Sequence, residues 1–137
     1  MKNFKFKHKD KEFILSEDNL SYMESDEMKD FTIEKVLEIL EESKEKVEFD
    51  YEYYADNCEE CKNSEPIDKK YYRFLEYHFY AFTKDEKYVI SNISNDFEST
   101  TYSELYRTGK INDSYIVSVV ICESCSKFTI EIEQCDM

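Results

Sequence analysis

Two periods of apolar residues organise the chain. Phe4 and Phe6 alternate with lysines, Phe13 and Leu15 alternate again, and His8-Lys9-Asp10-Lys11 lies between the two pairs. Period-two alternation on both sides of a short polar stretch predicts a β-hairpin. Residues 16–30 are polar and acid-rich, and they read as a loop with a short helical turn. From Thr32 to about Lys46 the period lengthens, with Ile33, Val36, Leu37 and Leu40 on the i, i+3, i+4, i+7 positions of an amphipathic helix. Thr32 stands where an N-cap belongs, and Phe31 and Val36 occupy the N′ and N4 positions of a hydrophobic staple.

The period then returns to two. Val47, Phe49, Tyr51 and Tyr53 alternate with acids, which predicts a half-exposed strand leading into Cys58-Glu59-Glu60-Cys61 and a polar loop with the only proline, Pro66. Residues 71–82 are bulky on both alternating faces. They read as a strand buried on both sides, with a helix left open by the length of the run. Lys84 to Lys87 reads as a turn, and Tyr88 to Ile93 as a further strand. Thr101-Tyr102-Ser103-Glu104 has the form of a capping box, and Gly109, the only glycine, stands where a left-handed C-cap would end a helix over 102–108. The β-branched run 114–121 leads through Cys122-Glu123-Ser124-Cys125 to the alternating Phe128, Ile130 and Ile132.

The pattern predicts an α+β fold, an antiparallel sheet with one main helix and a short second helix, in one domain spanning 1–137. The cysteines add a candidate metal. In each C-x-x-C motif two thiolates can face one ion from a tight turn, and two such turns complete the tetrahedron of a zinc ribbon. Cys58, Cys61, Cys122 and Cys125 are therefore the predicted ligands of one structural zinc, with the two turns clamping the sheet. Sixty residues separate Cys61 from Cys122, far more than in a compact ribbon. The competing reading is of incidental thiols or a redox pair. A redox C-x-x-C belongs at a helix N-terminus, whereas Cys122-Cys125 precedes a strand, and Glu59, Glu60 and Glu123 disfavour an isolated thiolate. A nucleoside-deaminase type of zinc site fits poorly, because Cys61 would fill the position that the water needs. Cys135, near the end of the chain, reads as an incidental thiol.

Charge narrows the function classes. The net charge of −14 is uneven: residues 1–11 hold five lysines and one acid, whereas residues 12–61 hold eighteen acids and four lysines. A field of that sign attracts basic partners and opposes phosphate backbones. Against nucleic acid as a non-partner stand two small basic, aromatic stretches, Lys2 to Lys11 with Phe4 and Phe6, and Lys69, Lys70 and Arg73 with Tyr71 and Tyr72. No run approaches the length of a membrane span, and Met1 to Lys11 lacks the apolar core of a signal peptide. A cytoplasmic setting is expected, where paired cysteines hold metals more often than disulfides. One glycine cannot build a phosphate loop, and with two histidines no Ser-His-Asp set can be placed, so no catalytic residue is assigned. His8 reads as solvated, and His78 as a satisfied histidine at or beside the core. Twelve tyrosines, among them Tyr51, Tyr53, Tyr54, Tyr71, Tyr72, Tyr77 and Tyr80, exceed the needs of a core this size and suit a protein interface.

The segment Ser114-Tyr115-Ile116-Val117-Ser118-Val119-Val120-Ile121-Cys122 through Glu133, preceded by Gly109-Lys110-Ile111, resembles the C-terminal part of an uncharacterised family of small proteins of low-GC Gram-positive bacteria. The resemblance covers most of the chain and implies no activity or catalytic residue. The expected function is a non-enzymatic structural-zinc protein, an interaction or adaptor module that meets a basic protein partner through an acidic, Tyr-rich surface. The alternatives are a nucleic-acid-binding zinc ribbon, and an immunity-type inhibitor or small enzyme.

Overall fold

The computed structural model describes residues 3–25, 31–54, 72–123 and 125–135. Phenylalanines and leucines at alternate positions turn the first of these segments into an antiparallel hairpin, β1 (Asn3–His8) and β2 (Lys11–Ser16), as the pattern predicts. Phe4, Phe13 and Leu15 point from it into the core. A strand β3 (Leu20–Ser25) follows, then α1 (Ile33–Glu42), β4 (Asp50–Tyr54), β5 (Tyr72–Lys84), β6 (Lys87–Ser91), α2 (Tyr102–Arg107), β7 (Asp113–Cys122) and β8 (Phe128–Cys135).

Nine of these elements, all but β3, are the expected ones, but the architecture is corrected. Strands take 53% of the described residues and helical turns of all kinds 25%, so the fold is mostly β rather than α+β. The main sheet is a curled half-barrel in the order β3-β8-β7-β5-β4, with β6 paired to the far end of β5. It is also mixed, because β3 lies parallel to β8. The region that forms β3 was expected to be loop. Its apolar side chains packed on the core are Leu20 and Met23, three apart across a register shift and set among polar residues, so local alternation is weak, and its partner lies more than 100 residues away.

The expected zinc-ribbon clamp is corrected too. Ladders of backbone hydrogen bonds join β4 to β5, β5 to β7 and β7 to β8 directly, so these strands are held together without a metal clamp. Among the described residues no group of three or more His, Cys, Asp or Glu is placed to hold an ion. Cys58 and Cys61 lie outside the described residues.

The core forms between the inner face of the sheet and a layer made of α1 and the β1–β2 hairpin. Thr32 caps α1 by accepting from the Lys35 amide at 3.3 Å, and Ile33, Val36, Leu37, Ile39 and Leu40 are buried. The helix stops at Glu42, short of the expected Lys46, where Ser43 turns inward and donates its hydroxyl to the Ile93 carbonyl at 2.6 Å. Against α1 and the hairpin lie Leu75 and Phe79 of β5, Val117, Val119 and Ile121 of β7, and Phe128, Ile130 and Ile132 of β8. Phe49, just before β4, stacks on Phe6 at 4.4 Å and ties the hairpin to the sheet.

The long aromatic run resolves as a strand. Only its C-terminal half is covered on both faces: Phe82 packs outward against Leu105 and Ile111, in the segment between β6 and β7. That segment is closed by Gly109 as expected, with φ +75°, where its amide bonds Tyr106 O at 3.1 Å and the Lys110 amide bonds Leu105 O at 3.0 Å. This pair of bonds is a Schellman cap. With so little glycine in the chain, the tight turns Lys9-Asp10 and Asp85-Glu86 place non-glycine residues at positive φ.

Candidate functional site

Strand register sorts the other half of the sheet. Odd-numbered residues of β5 and β7 face the core, and even-numbered ones face outward. Toward the other end no element among the described residues packs on the outward side. It carries Asp50, Glu52 and Tyr54 of β4, Glu76 and His78 of β5, Ser118 and Val120 of β7, Glu131 and Glu133 of β8, and Tyr22 and Glu24 of β3. These strand positions include six carboxylates and no lysine or arginine. Two pairs of acids are direct neighbours, Asp50 opposite Glu76 and Glu24 beside Glu131. Like charges directly opposite each other destabilise a sheet, so this arrangement has a standing cost.

Hydrogen bonds knit the face into two groups. Tyr54 donates its hydroxyl to Glu76 Oε2. Glu76 Oε1 contacts Nε2 of His78, whose Nδ1 lies 2.8 Å from Ser118 Oγ. Tyr22 donates to Glu131 at 3.1 Å. Burial, then the hydrogen bond and charge of Glu76, raise the Tyr54 phenol well above its ordinary value near 10. Glu76 is therefore an acceptor from two sides.

The Ser118–His78–Glu76 row is one that sequence reading could not assemble. Its members come from two strands, and only the register of β5 against β7 brings His78 opposite Ser118. A neutral imidazole that donates Nε2–H to the carboxylate accepts the serine hydroxyl at Nδ1, which has the form of a nucleophile relay. Acyl transfer also needs donors for the oxyanion. Ser118 lies in mid-strand, and β5 and β8 both pair with β7 there, so the surrounding amides serve the ladders. The row therefore fits an open polar surface better than a hydrolase centre. His78 is exposed on this face rather than held in the core.

Of the predicted metal ligands, Cys122 ends β7 and is buried, and Cys125 lies in the turn to β8. The turn is tight: Ser126 N–H donates to Cys122 O at 2.9 Å, Cys122 N–H to Lys127 O at 2.9 Å, and Ser126 takes a left-handed φ of 65°. Strand, C-x-x-C, strand is thus the observed order for this pair. Cys135 ends β8, where Ser114 donates to its carbonyl at 2.7 Å.

The tyrosines divide. Tyr22, Tyr53 and Tyr54 are exposed, whereas Tyr51, Tyr72, Tyr77 and Tyr80 are half-buried, and Tyr71 is outside the described residues. Burial raises the phenol of Tyr77. His8 is not a solvated turn residue: it is half-buried with its ring edge-on to Tyr51 at 4.6 Å. From the two basic stretches, Lys9, Lys11 and Arg73 converge beside Tyr51 on the inner side of the sheet end, while Lys2, Lys69 and Lys70 fall outside the described residues.

Residues 4–137 match the model of a family described as a protein of unknown function, DUF3785. The chain belongs to this family. Membership of DUF3785 agrees with the resemblance to an uncharacterised family, and its description assigns no activity. No curated protein and no solved structure matches the chain. Among the described residues no helix is long and apolar enough to cross a membrane.

Proposed function

We propose that the protein is a non-enzymatic interaction module whose acidic outer sheet face binds a basic segment of a protein partner. The observation that carries this reading is a face of six carboxylates without a lysine or arginine, two pairs of them directly apposed. A cationic partner side chain between Glu24 and Glu131, or between Asp50 and Glu76, turns each repulsion into attraction. Tyr22 and Tyr54 supply large amphipathic contacts, and the half-buried Val120 supplies an apolar floor.

The test is a titration of a lysine- and arginine-rich peptide followed by backbone amide NMR shifts. Shifts should concentrate on β3, β8 and the N-terminal half of β5, and weaken with salt. The double charge reversal Glu76→Lys with Glu131→Lys should weaken binding by tenfold or more, on the order of what close charge pairs are worth. Shifts elsewhere, or an unchanged affinity in the double variant, would overturn the reading.

We further propose that Cys58, Cys61, Cys122 and Cys125 bind one zinc. Chain geometry supports it. β4 ends and β5 begins at the neighbouring residues Tyr54 and Tyr72, and Cys122 is paired with Phe74 only two residues further along. Two strand spacings, about 10 Å, separate β4 from β7. The four residues from Tyr54 to Cys58 span up to about 13 Å, which is enough to bring both cysteine pairs to one place. About one zinc per chain in metal analysis, halved or lost in Cys125→Ser, is the expected result. A metal-free protein purified without chelator would sink the proposal.

A further inference from the structure

Among the described residues a cluster of cations lies on the opposite side of the sheet from the acidic face. The left-handed turn at Lys9 and Asp10 brings the tip of the β1–β2 hairpin against β4 and the start of β5. There Tyr51 is surrounded by cations. The Arg73 guanidinium carbon lies 4.2 Å from its ring centroid, Lys9 Nζ lies 5.1 Å away, and the His8 ring meets it edge-on at 4.6 Å. Lys11 Nζ sits 5.1 Å over Phe13 and donates to the Glu123 carbonyl. Together these groups and Glu123 line a cavity of about 290 Å³.

The charges in this cavity are not balanced. Arg73 is engaged by the Glu123 carboxylate, with Nη2 donating at 2.7 Å and Nε at 3.1 Å, and this contact raises the guanidinium further above its usual range. Among the described residues no carboxylate pairs with Lys9 or Lys11. In a chain of net −14 an ammonium has many acids available. Three cations and one acid around two aromatic rings therefore leave this cavity net positive within an acidic chain, a local field that attracts an anion.

We propose that this cavity binds a small phosphate monoester. The phosphoryl dianion sits between Lys9, Lys11 and Arg73, and the organic part lies against Tyr51 and Phe13. Lysines supply point charges to a phosphate, and the arginine fork supplies paired donors. The volume is at the lower edge of ordinary ligand cavities, which suits one phosphoryl group with a small ring attached. A nucleic-acid strand instead draws its affinity from many phosphate contacts along an extended basic surface, and the flanking acids deny it that. Glu123 is the built-in competitor, because an incoming phosphate must share the Arg73 fork with its carboxylate. This site is independent of the acidic face, and neither proposal depends on the other.

Calorimetric titration of phenyl phosphate at low salt tests the site, on the full chain and on two single variants. One-to-one saturable binding is expected. Lys9→Glu, at an exposed turn position, should weaken it by about tenfold or more, the equivalent of one charge-assisted hydrogen bond. Glu123→Gln should tighten it severalfold, because Arg73 is released, and a merely structural role for Glu123 would not produce a gain. Thermal unfolding of each variant without ligand checks that the fold is intact. The proposal is overturned by an absence of saturable binding, by an affinity indifferent to both substitutions, or by binding confined to oligonucleotides.

Discussion

β5 presents the same face to two different fates. At its C-terminal half the outward side chains are Tyr80 and Phe82, and they lie under Leu105, Ile111, Phe97 and Tyr102. At its N-terminal half the outward side chains are Tyr72, Phe74, Glu76 and His78, where Glu76 is hydrogen-bonded to Tyr54 and His78 to Ser118 of the flanking strands, outside the cluster that packs on Phe82. The difference shows how fold and function are divided along one strand. Where the outward residues are apolar, the chain between β6 and β7 folds back and buries them. Where the row turns polar at Glu76 and His78, an apolar cover would strand a charge in a low dielectric, and the carboxylate is instead hydrogen-bonded by Tyr54 and His78.

The comparison can be broken most forcefully from the covered side. Phe82→Ala removes the ring around which the small second cluster packs, and the loss should be about 3–5 kcal/mol. Chemical unfolding measures it, and a loss below about 1 kcal/mol would mean that the cover is not a packed core. On the open side the sign should reverse. Asp50→Asn with Glu24→Gln relieves both apposed acid pairs, and stability should rise by about 0.2–1 kcal/mol per pair at low salt. A fall would show that the face is already compensated.

The third contrast is visible only at alkaline pH. Tyr54 holds its proton above the ordinary tyrosine value, because of partial burial and then Glu76, whereas in the unfolded chain it ionises near pH 10. Above that pH the unfolded state binds fewer protons than the native one, so stability falls as pH rises. Burial raises Tyr77 and Tyr88 likewise, so they add to the fall. Tyr54→Phe should make the decline shallower between pH 10 and 12 in thermal unfolding. An identical slope would remove Tyr54 from this account.

Much of this was legible in residue order. The opening hairpin, α1 with its Thr32 cap, the Schellman-capped helix at Gly109 and the β7–turn–β8 unit all follow from patterns within about 20 residues of each other. What escaped were features whose partners are remote. β3 packs only Leu20 and Met23 on the core, out of alternating phase, and becomes a strand because β8 offers it an edge. The Ser118–His78–Glu76 row requires two strands to align at one register, and a shift by one residue would send every member to the other face. The basic stretches looked separate in sequence, yet the hairpin turn carries Lys9 and Lys11 to Arg73.

The sequence by itself determined most of the strands and both α-helices, though not β3, where the main caps fall and that the chain is acidic with a basic tip, because those depend on local periodicity and composition. Only the tertiary structure decided that the sheet is mixed, that six of its acids share one outer face and that Lys9, Lys11 and Arg73 meet beside Tyr51. Strand order and register depend on which distant edges can satisfy each other's backbone groups and bury each other's apolar sides, and no short window of residues encodes that choice.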